Sequence, residues 1–140
     1  MSIMKKRRDK KRKNIHNEFV NQIFENPKLI GINGEIVKKI RFPKSLFRPE
    51  KEISDLIVVE RKRKNEIDIH LIEVKTGLFL KGAQLQCATA LKYFLVEFQQ
   101  WKRVLGINNG GIRICSEIIW CKKFEVPAKI EKISESVIFL

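Results

Sequence analysis

The chain has 140 residues, 44% of them apolar, which suffices for one domain with its own core. Its net charge is +13 at pH 7. No stretch reaches the roughly 20 apolar residues of a membrane-spanning helix, and no apolar core follows the basic start. The protein is therefore expected inside the cell, cytoplasmic or nucleoid-associated, neither secreted nor in a membrane.

Cys87, Cys115 and Cys121 are odd in number, lie in apolar runs and lack zinc-ligand spacing, so they read as reduced packing residues. Residues 1–14 hold eight Lys or Arg and one Asp, or +7, which leaves +6 on the remainder. The excess is thus not confined to a tail, and a polyanion such as nucleic acid is the expected partner. An anionic membrane surface fits less well, because no amphipathic helix with a broad apolar face accompanies the tail. A merely soluble, charged surface is the bland alternative.

Two segments follow from this, a basic flexible arm at 1–14 and a single domain at 15–140. The arm, MSIMKKRRDKKRKN, is almost purely polar and reads as disordered, suited to non-specific phosphate contact; a localisation signal or simple solubility has the same composition. Ile15, Phe19, Val20, Ile23 and Phe24 recur on one helical face, and Asn26-Pro27 ends that helix. After a turn at Gly31–Gly34, residues 35–42 read as a strand with Ile36, Lys38 and Ile40 on one side and Val37, Lys39 and Arg41 on the other. Pro43 and Pro49 bracket a loop. Lys38, Lys39, Arg41, Lys44 and Arg48 form either a groove wall for a phosphate backbone or an edge strand's guard against aggregation.

Residues 53–77 read as a hairpin, two apolar runs around the charged stretch Arg61–Glu66. Glu73 and Lys75 close the second run and share a face, with Val74 turned away. Asp55, near the start of the first run, pairs across the hairpin and brings a second carboxylate to them. His70 faces the side opposite Glu73, and neither it nor His16 has a partner at metal-ligand spacing; both read as structural.

A helix over 83–101 comes next, with Leu85, Ala88, Leu91, Phe94, Leu95 and Phe98 on its buried face and Gln86, Thr89, Tyr93, Glu97 and Gln100 opposite. Gln84 falls in the middle of that apolar face. A buried amide needs polar partners, and the end of the Glu73–Lys75 strand is the nearest. Residues 111–121 read as a strand, and the segment from Val126 as a short helix and a strand. Tyr93, Trp101 and Trp120 either stack on bases or pack in the core.

Asp55, seventeen residues, then Glu73-Val74-Lys75 resembles the core of the PD-(D/E)xK nuclease superfamily, which sets an Asp at the start of one strand and acid-x-Lys on its hairpin neighbour. The order helix, strand, hairpin, helix is shared over roughly residues 15–120; Ser54 stands where the eponymous Pro would be. The resemblance, to small Holliday-junction-resolvase-like or RecB-like cores, implies an α/β restriction-endonuclease-like fold with a mixed central sheet flanked by helices. It further implies Mg²⁺, with Mn²⁺ a possible substitute, held by Asp55 and Glu73. Lys75 would orient water or offset developing charge, and Gln84 would sit as the helix glutamine some members place against the site. Junction resolvases of this type add a glutamate on the first helix. Glu18 is the candidate here, but it lies on the polar face and is left out of the site.

The chemistry has a need for these residue types. Mg²⁺ favours hard oxygen ligands, and cutting a phosphodiester calls for an activated water and relief of negative charge. The expected function is metal-dependent cleavage of DNA, with RNA left open, selective for nucleic-acid structure and performed by a homodimer because cutting two strands calls for two sites. The alternative is a non-catalytic, basic nucleic-acid-binding protein with the same fold. Singly, Glu73 and Lys75 read equally as a solvent-facing pair and Asp55 as a turn residue.

Overall fold

The computed structural model describes residues 3–76, 81–107, 110–122 and 129–140, with side chains for 14–76, 82–107, 110–121 and 137–140. Three helices and five strands are named here in chain order: α1 Ile3–Glu25, β1 Glu35–Arg41, β2 Leu56–Arg63, β3 Glu66–Lys75, α2 Lys81–Val96, α3 Phe98–Leu105, β4 Gly111–Lys122 and β5 Lys129–Phe139. The strands form one sheet in sequence order, antiparallel except for the parallel pair β3–β4. A parallel pair requires a crossover, and α2 with α3 supplies it. The protein is therefore α/β, with a mixed sheet flanked by helices.

Residues 56–59, Leu-Ile-Val-Val, carry the core on both faces of the sheet. Ile57 and Val59 join Ile67, Ile69, Leu71, Phe94, Trp101, Leu105, Ile112 and Ile114 beneath α2 and α3. Leu56 and Val58 join Ile72, Val74, Ile119, Phe19, Val20 and Ile23 beneath α1. Full burial of each such side chain stabilises by about 1.5–3 kcal/mol, and a one-residue slip would exchange the two faces, so the β2–β3 register is strongly specified.

Several expectations need correction. Backbone of residues 3–14, expected to be disordered, continues α1. That stretch contains no Gly or Pro, Lys and Arg are good helix formers, and extending an anchored helix avoids the cost of a new nucleus. The hairpin turn is tighter than Arg61–Glu66: β2 runs to Arg63 and β3 starts at Glu66, leaving Lys64-Asn65 as the loop. In β1 the pairing shifts between Ile36 and Lys38, so the simple alternation fails. Ile36 packs on the α1 side, whereas Val37 and Ile40 pack on the α2–α3 side. The expected 83–101 helix breaks at Glu97, between α2 and α3. The C-terminal segment is strand β5 over its described residues, and the part expected to be helical lies largely outside them.

Burial on α2 is also rotated from the expected face. Ala83, Ala90 and Phe94 of α2 are buried, as is Glu97 at the break that follows it, and Leu85 is 70% exposed. Lys81 and Lys92 are the charged residues of α2, so no strongly polar face orients the helix by itself. Small residues facing the sheet let it approach closely. Glu97 is 1% exposed because it accepts hydrogen bonds from Ser45 Oγ and, at 2.7 Å, from Leu46 N–H. It thereby ties the loop after β1 to the α2–α3 junction. Phe94 stacks on Trp101, their ring centroids 5.5 Å apart, which makes Trp101 a packing residue.

Candidate active site

Where the β2 backbone ladder ends, at Leu56 opposite Ile72, the next residue on each strand is an acid, Asp55 opposite Glu73. Asp55 N–H donates to Ile72 O at 3.0 Å, and its own carbonyl accepts Phe42 N–H at 2.8 Å, so the residue is held from both sides. Its Oδ2 accepts the Val74 N–H at 2.7 Å, replacing the partner a longer strand would offer. Val74 packs into the α1-side core, so Glu73 and Lys75 turn to the α2 side. Lys75 Nζ lies 3.7 Å from Glu73 Oε1 and donates to Gln86 Oε1 at 2.7 Å.

The structure thus brings Asp55, Glu73 and Lys75 together at one end of the central strands. Gln84 is not with them; it is exposed, and the α2 glutamine that meets Lys75 is Gln86, two residues on. The rotation of α2 carries this correction: with Ala83 against the sheet, Gln84 turns outward. Of the five basic residues expected along a groove, Lys39 and Arg41 are engaged at the C-terminal end of α1. Lys39 Nζ donates to Phe24 O at 2.7 Å, and Arg41 donates to Asn21 Oδ1 at 2.8 Å. Both charges also lie over the Phe24 ring, at 4.6 and 4.7 Å, where they offset the negative end of the helix. Lys38, Lys44 and Arg48 are exposed.

A further member of the cluster is His16, expected from the sequence to be structural. His16 of α1 donates from Nε2 to Asp55 Oδ2 at 3.1 Å and to Val74 O at 3.0 Å, while Nδ1 faces Asn17 Oδ1 at 3.2 Å. With acceptors at both ring nitrogens, the ring is an imidazolium. The hydrogen bond to Asp55 is the main cause; with the charge of Asp55 and the bonds to Asn17 and Val74 it outweighs partial burial and raises the pKa to about 9. The signal was present in the sequence: position 16 precedes Phe19, Val20 and Ile23 by three, four and seven residues, on the buried stripe. Glu18 is exposed, as its polar-face position implied.

Burial, then the charge of Asp55, pushes the Glu73 carboxyl up to about 7, despite the opposing charges of Lys75 and His16. Two carboxyls in a half-enclosed site resist being ionised together, and the Lys75 ammonium and the His16 ring beside them offset that only in part. The donor set is therefore one that hard cations favour. Since Asp55 Oδ2 already accepts two bonds, a cation would draw on Oδ1, with Glu73 and the second lone pair of the Val74 carbonyl. A proton and a cation then compete for Glu73. Divalent-metal affinity is expected to weaken up to ten-fold per pH unit below about 7 and to level off above it. Isothermal titration with Mn²⁺ at several pH values would measure this, and an affinity independent of pH between 5.5 and 7 would refute it.

A second polar cluster lies on the α1-side face of the sheet. His70 hydrogen-bonds Glu60 Oε1 at 2.8 Å through Nε2 and Glu117 Oε1 through Nδ1. Asp68 accepts a two-bond contact from Arg113, the Nε–Oδ1 distance being 2.8 Å, and Lys62 Nζ lies 3.9 Å from both Glu60 and Asp68. Burial pulls the His70 pKa down, but Glu117 and Glu60 together raise it above its ordinary value. Burial likewise acts to raise Asp68, yet Arg113, with His70 and Lys62, holds its carboxyl below the usual range. His70, Cys115 and Glu117, and likewise Glu60, Asp68 and His70, bring possible ligand atoms within 4.8 Å of one another. Those side chains already pair with one another, Glu60 and Glu117 with His70 and Asp68 with Arg113 and Lys62, which reads as a structural lock rather than a reaction site.

Burial raises the Cys87 thiol to about 11, and the Cys121 thiol to about 12, so neither is a thiolate at neutral pH. Among the described residues, no helix is long and apolar enough to cross a membrane. Compared with protein-family models, with curated proteins and with solved structures, the chain matches none.

Proposed function

We propose that the protein is a metal-dependent nuclease of the PD-(D/E)xK type that hydrolyses DNA phosphodiester bonds in a structure-selective manner. One observation carries this reading: Asp55, Glu73 and Lys75 converge at the end of paired strands, and burial beside Asp55 holds the Glu73 carboxyl near 7. Residues 1–14 and the exposed Lys38, Lys44 and Arg48 add positive charge suited to a phosphate backbone.

Asp55 and Glu73 would hold Mg²⁺ or Mn²⁺, which supplies an activated water and neutralises phosphate charge when bound. The chain's own residues do the rest. Lys75, held by Gln86, presents an ammonium beside Glu73 that can orient water or offset charge developing on the phosphate. His16 fixes the Asp55 carboxylate and the Val74 carbonyl from the α1 side, so that neither must reorganise as charge builds up. Cutting both strands of a branched duplex calls for two such sites, which two copies of the chain would provide.

A second reading has its own support. The His16 imidazolium already supplies a positive charge to Asp55 and the Val74 carbonyl, so the cluster can persist without a metal in a basic protein that binds nucleic acid and does not cut it. Incubation with single-stranded, duplex, flapped and four-way-junction DNA in Mg²⁺, Mn²⁺ or EDTA separates the two. Cleavage that requires metal supports the nuclease. Salt-sensitive binding without cleavage under either metal supports the binding protein.

A further inference from the structure

A cleft of about 260 Å³ opens beside the candidate site, between α2 and the segment that leads into β2. Its walls are Leu85, Gln86, Thr89, Ala90 and Tyr93 from one side and residues 51–54 from the other, and Glu73 lines its end. Leu85, Thr89 and Tyr93 recur every four residues, so they form one stripe along the helix. Leu85 is 70% exposed here, an apolar side chain kept at the surface over a concave site. Tyr93 is half-buried, its ring packed against the core cluster beneath α2.

The wall is aromatic and aliphatic with a few polar groups: the Gln86 amide, the Thr89 hydroxyl, the Lys51 ammonium and the Glu52 carboxylate. Gln86 spends its oxygen on Lys75, which leaves its N–H groups for another acceptor. The volume is under the roughly 300 Å³ at which pockets for drug-sized ligands begin. A base pair still stacked in a duplex would have to bring its neighbours and both backbones into this cleft, whereas a single base can enter once it leaves the stack.

We propose that this cleft receives one unpaired nucleotide adjoining the phosphate that Asp55, Glu73 and Lys75 act on, its base resting on Tyr93 and Leu85. The substrate class is then DNA that is single-stranded or unpaired at the cut, such as a flap or a branch point, rather than continuous duplex. This rests on the nuclease reading of the neighbouring carboxylates. Stacking on an aromatic ring is tolerant of sequence, since every base has a face to offer, so selectivity is for pairing state and not for base identity.

The test is a pair of oligonucleotides carrying 2-aminopurine, one single-stranded and one paired with its complement, titrated with the protein in EDTA. Wild type and Tyr93→Phe are expected to quench the single-stranded probe and leave the duplex unquenched. Tyr93→Ala should lose the quenching and bind the single strand about ten-fold more weakly. Leu85→Ala, at an exposed position that does not bear on folding, should weaken it about three-fold and serves if Tyr93→Ala fails to fold. Equal quenching of both probes, or single-strand binding unchanged in Tyr93→Ala and Leu85→Ala, overturns the proposal. Cleavage in Mg²⁺ is followed in parallel. Cutting without any Tyr93 or Leu85 dependence removes the cleft and leaves the nuclease; that dependence without cutting under Mg²⁺ or Mn²⁺ removes the placement beside a scissile phosphate.

Discussion

On the proposed nuclease reading, Glu73→Gln is expected to lower metal-dependent cleavage by about 10³-fold or more, since it removes a carboxylate proposed to hold the metal and with it several kcal/mol of transition-state stabilisation. The same substitution should leave the fold as stable as before, or more so. Glu73 has its pKa raised from 4.5 to about 7 by burial and by Asp55, so the folded state holds the proton that the unfolded state releases. The cost to stability therefore sets in as the pH rises from 4.5, is complete above about 7, and is absent in the glutamine variant. Thermal melts of the two proteins at pH 5 and pH 8 would show the variant gaining on wild type at the higher value. Lost cleavage with an unchanged or raised Tm assigns Glu73 to the chemistry. A variant that melts early at both pH values makes it a structural residue instead. Lys75→Met should cost about 10²–10³-fold in rate, the usual penalty for removing one charge-stabilising donor.

His70→Leu is expected to destabilise the protein by about 3–5 kcal/mol, because it leaves the buried Glu60 and Glu117 side chains without the imidazole that bridges them. In a chain of this length that lowers Tm by on the order of 10 °C. Changing Glu60 and Glu117 to Gln in the same variant should recover part of the loss, as the two buried acids that bonded to His70 go with the change. The effect depends on pH with a definite sign. The folded pKa of His70 is raised above 6.5, so its contribution is full below 6.5 and disappears as the pH climbs through the folded value. The gap in Tm between wild type and His70→Leu should accordingly narrow toward alkaline pH. A constant gap would mean that shape, and not charge, is what His70 contributes.

These two clusters occupy opposite faces of the same hairpin, and that division was legible beforehand. Along β3, Glu73 and Lys75 alternate with His70 and Val74, and alternation in an extended chain depends on nothing outside it. The same locality made the Asp55 pairing readable, since a short hairpin sets its own register. Composition determined the charge, the size of the core and the absence of any long apolar stretch.

What the local pattern left open was decided by packing between distant elements. Gln84 stood on an apolar face of α2, but that helix is apolar around most of its circumference. The sheet selected Ala83 and Ala90, whose small side chains allow close approach, together with the Phe94 ring that fills the core, and the rotation substituted Gln86 for Gln84 beside Lys75. Glu97 looked like a surface residue until the loop after β1 brought Ser45 and Leu46 to it. His16 showed its stripe in the sequence but not its partner, for Asp55 lies 39 residues away and meets it only once α1 packs on its face of the sheet. Periodicity in one segment specifies which face is buried; the charge or hydrogen bond waiting on that face belongs to another segment, and only the folded chain joins the two.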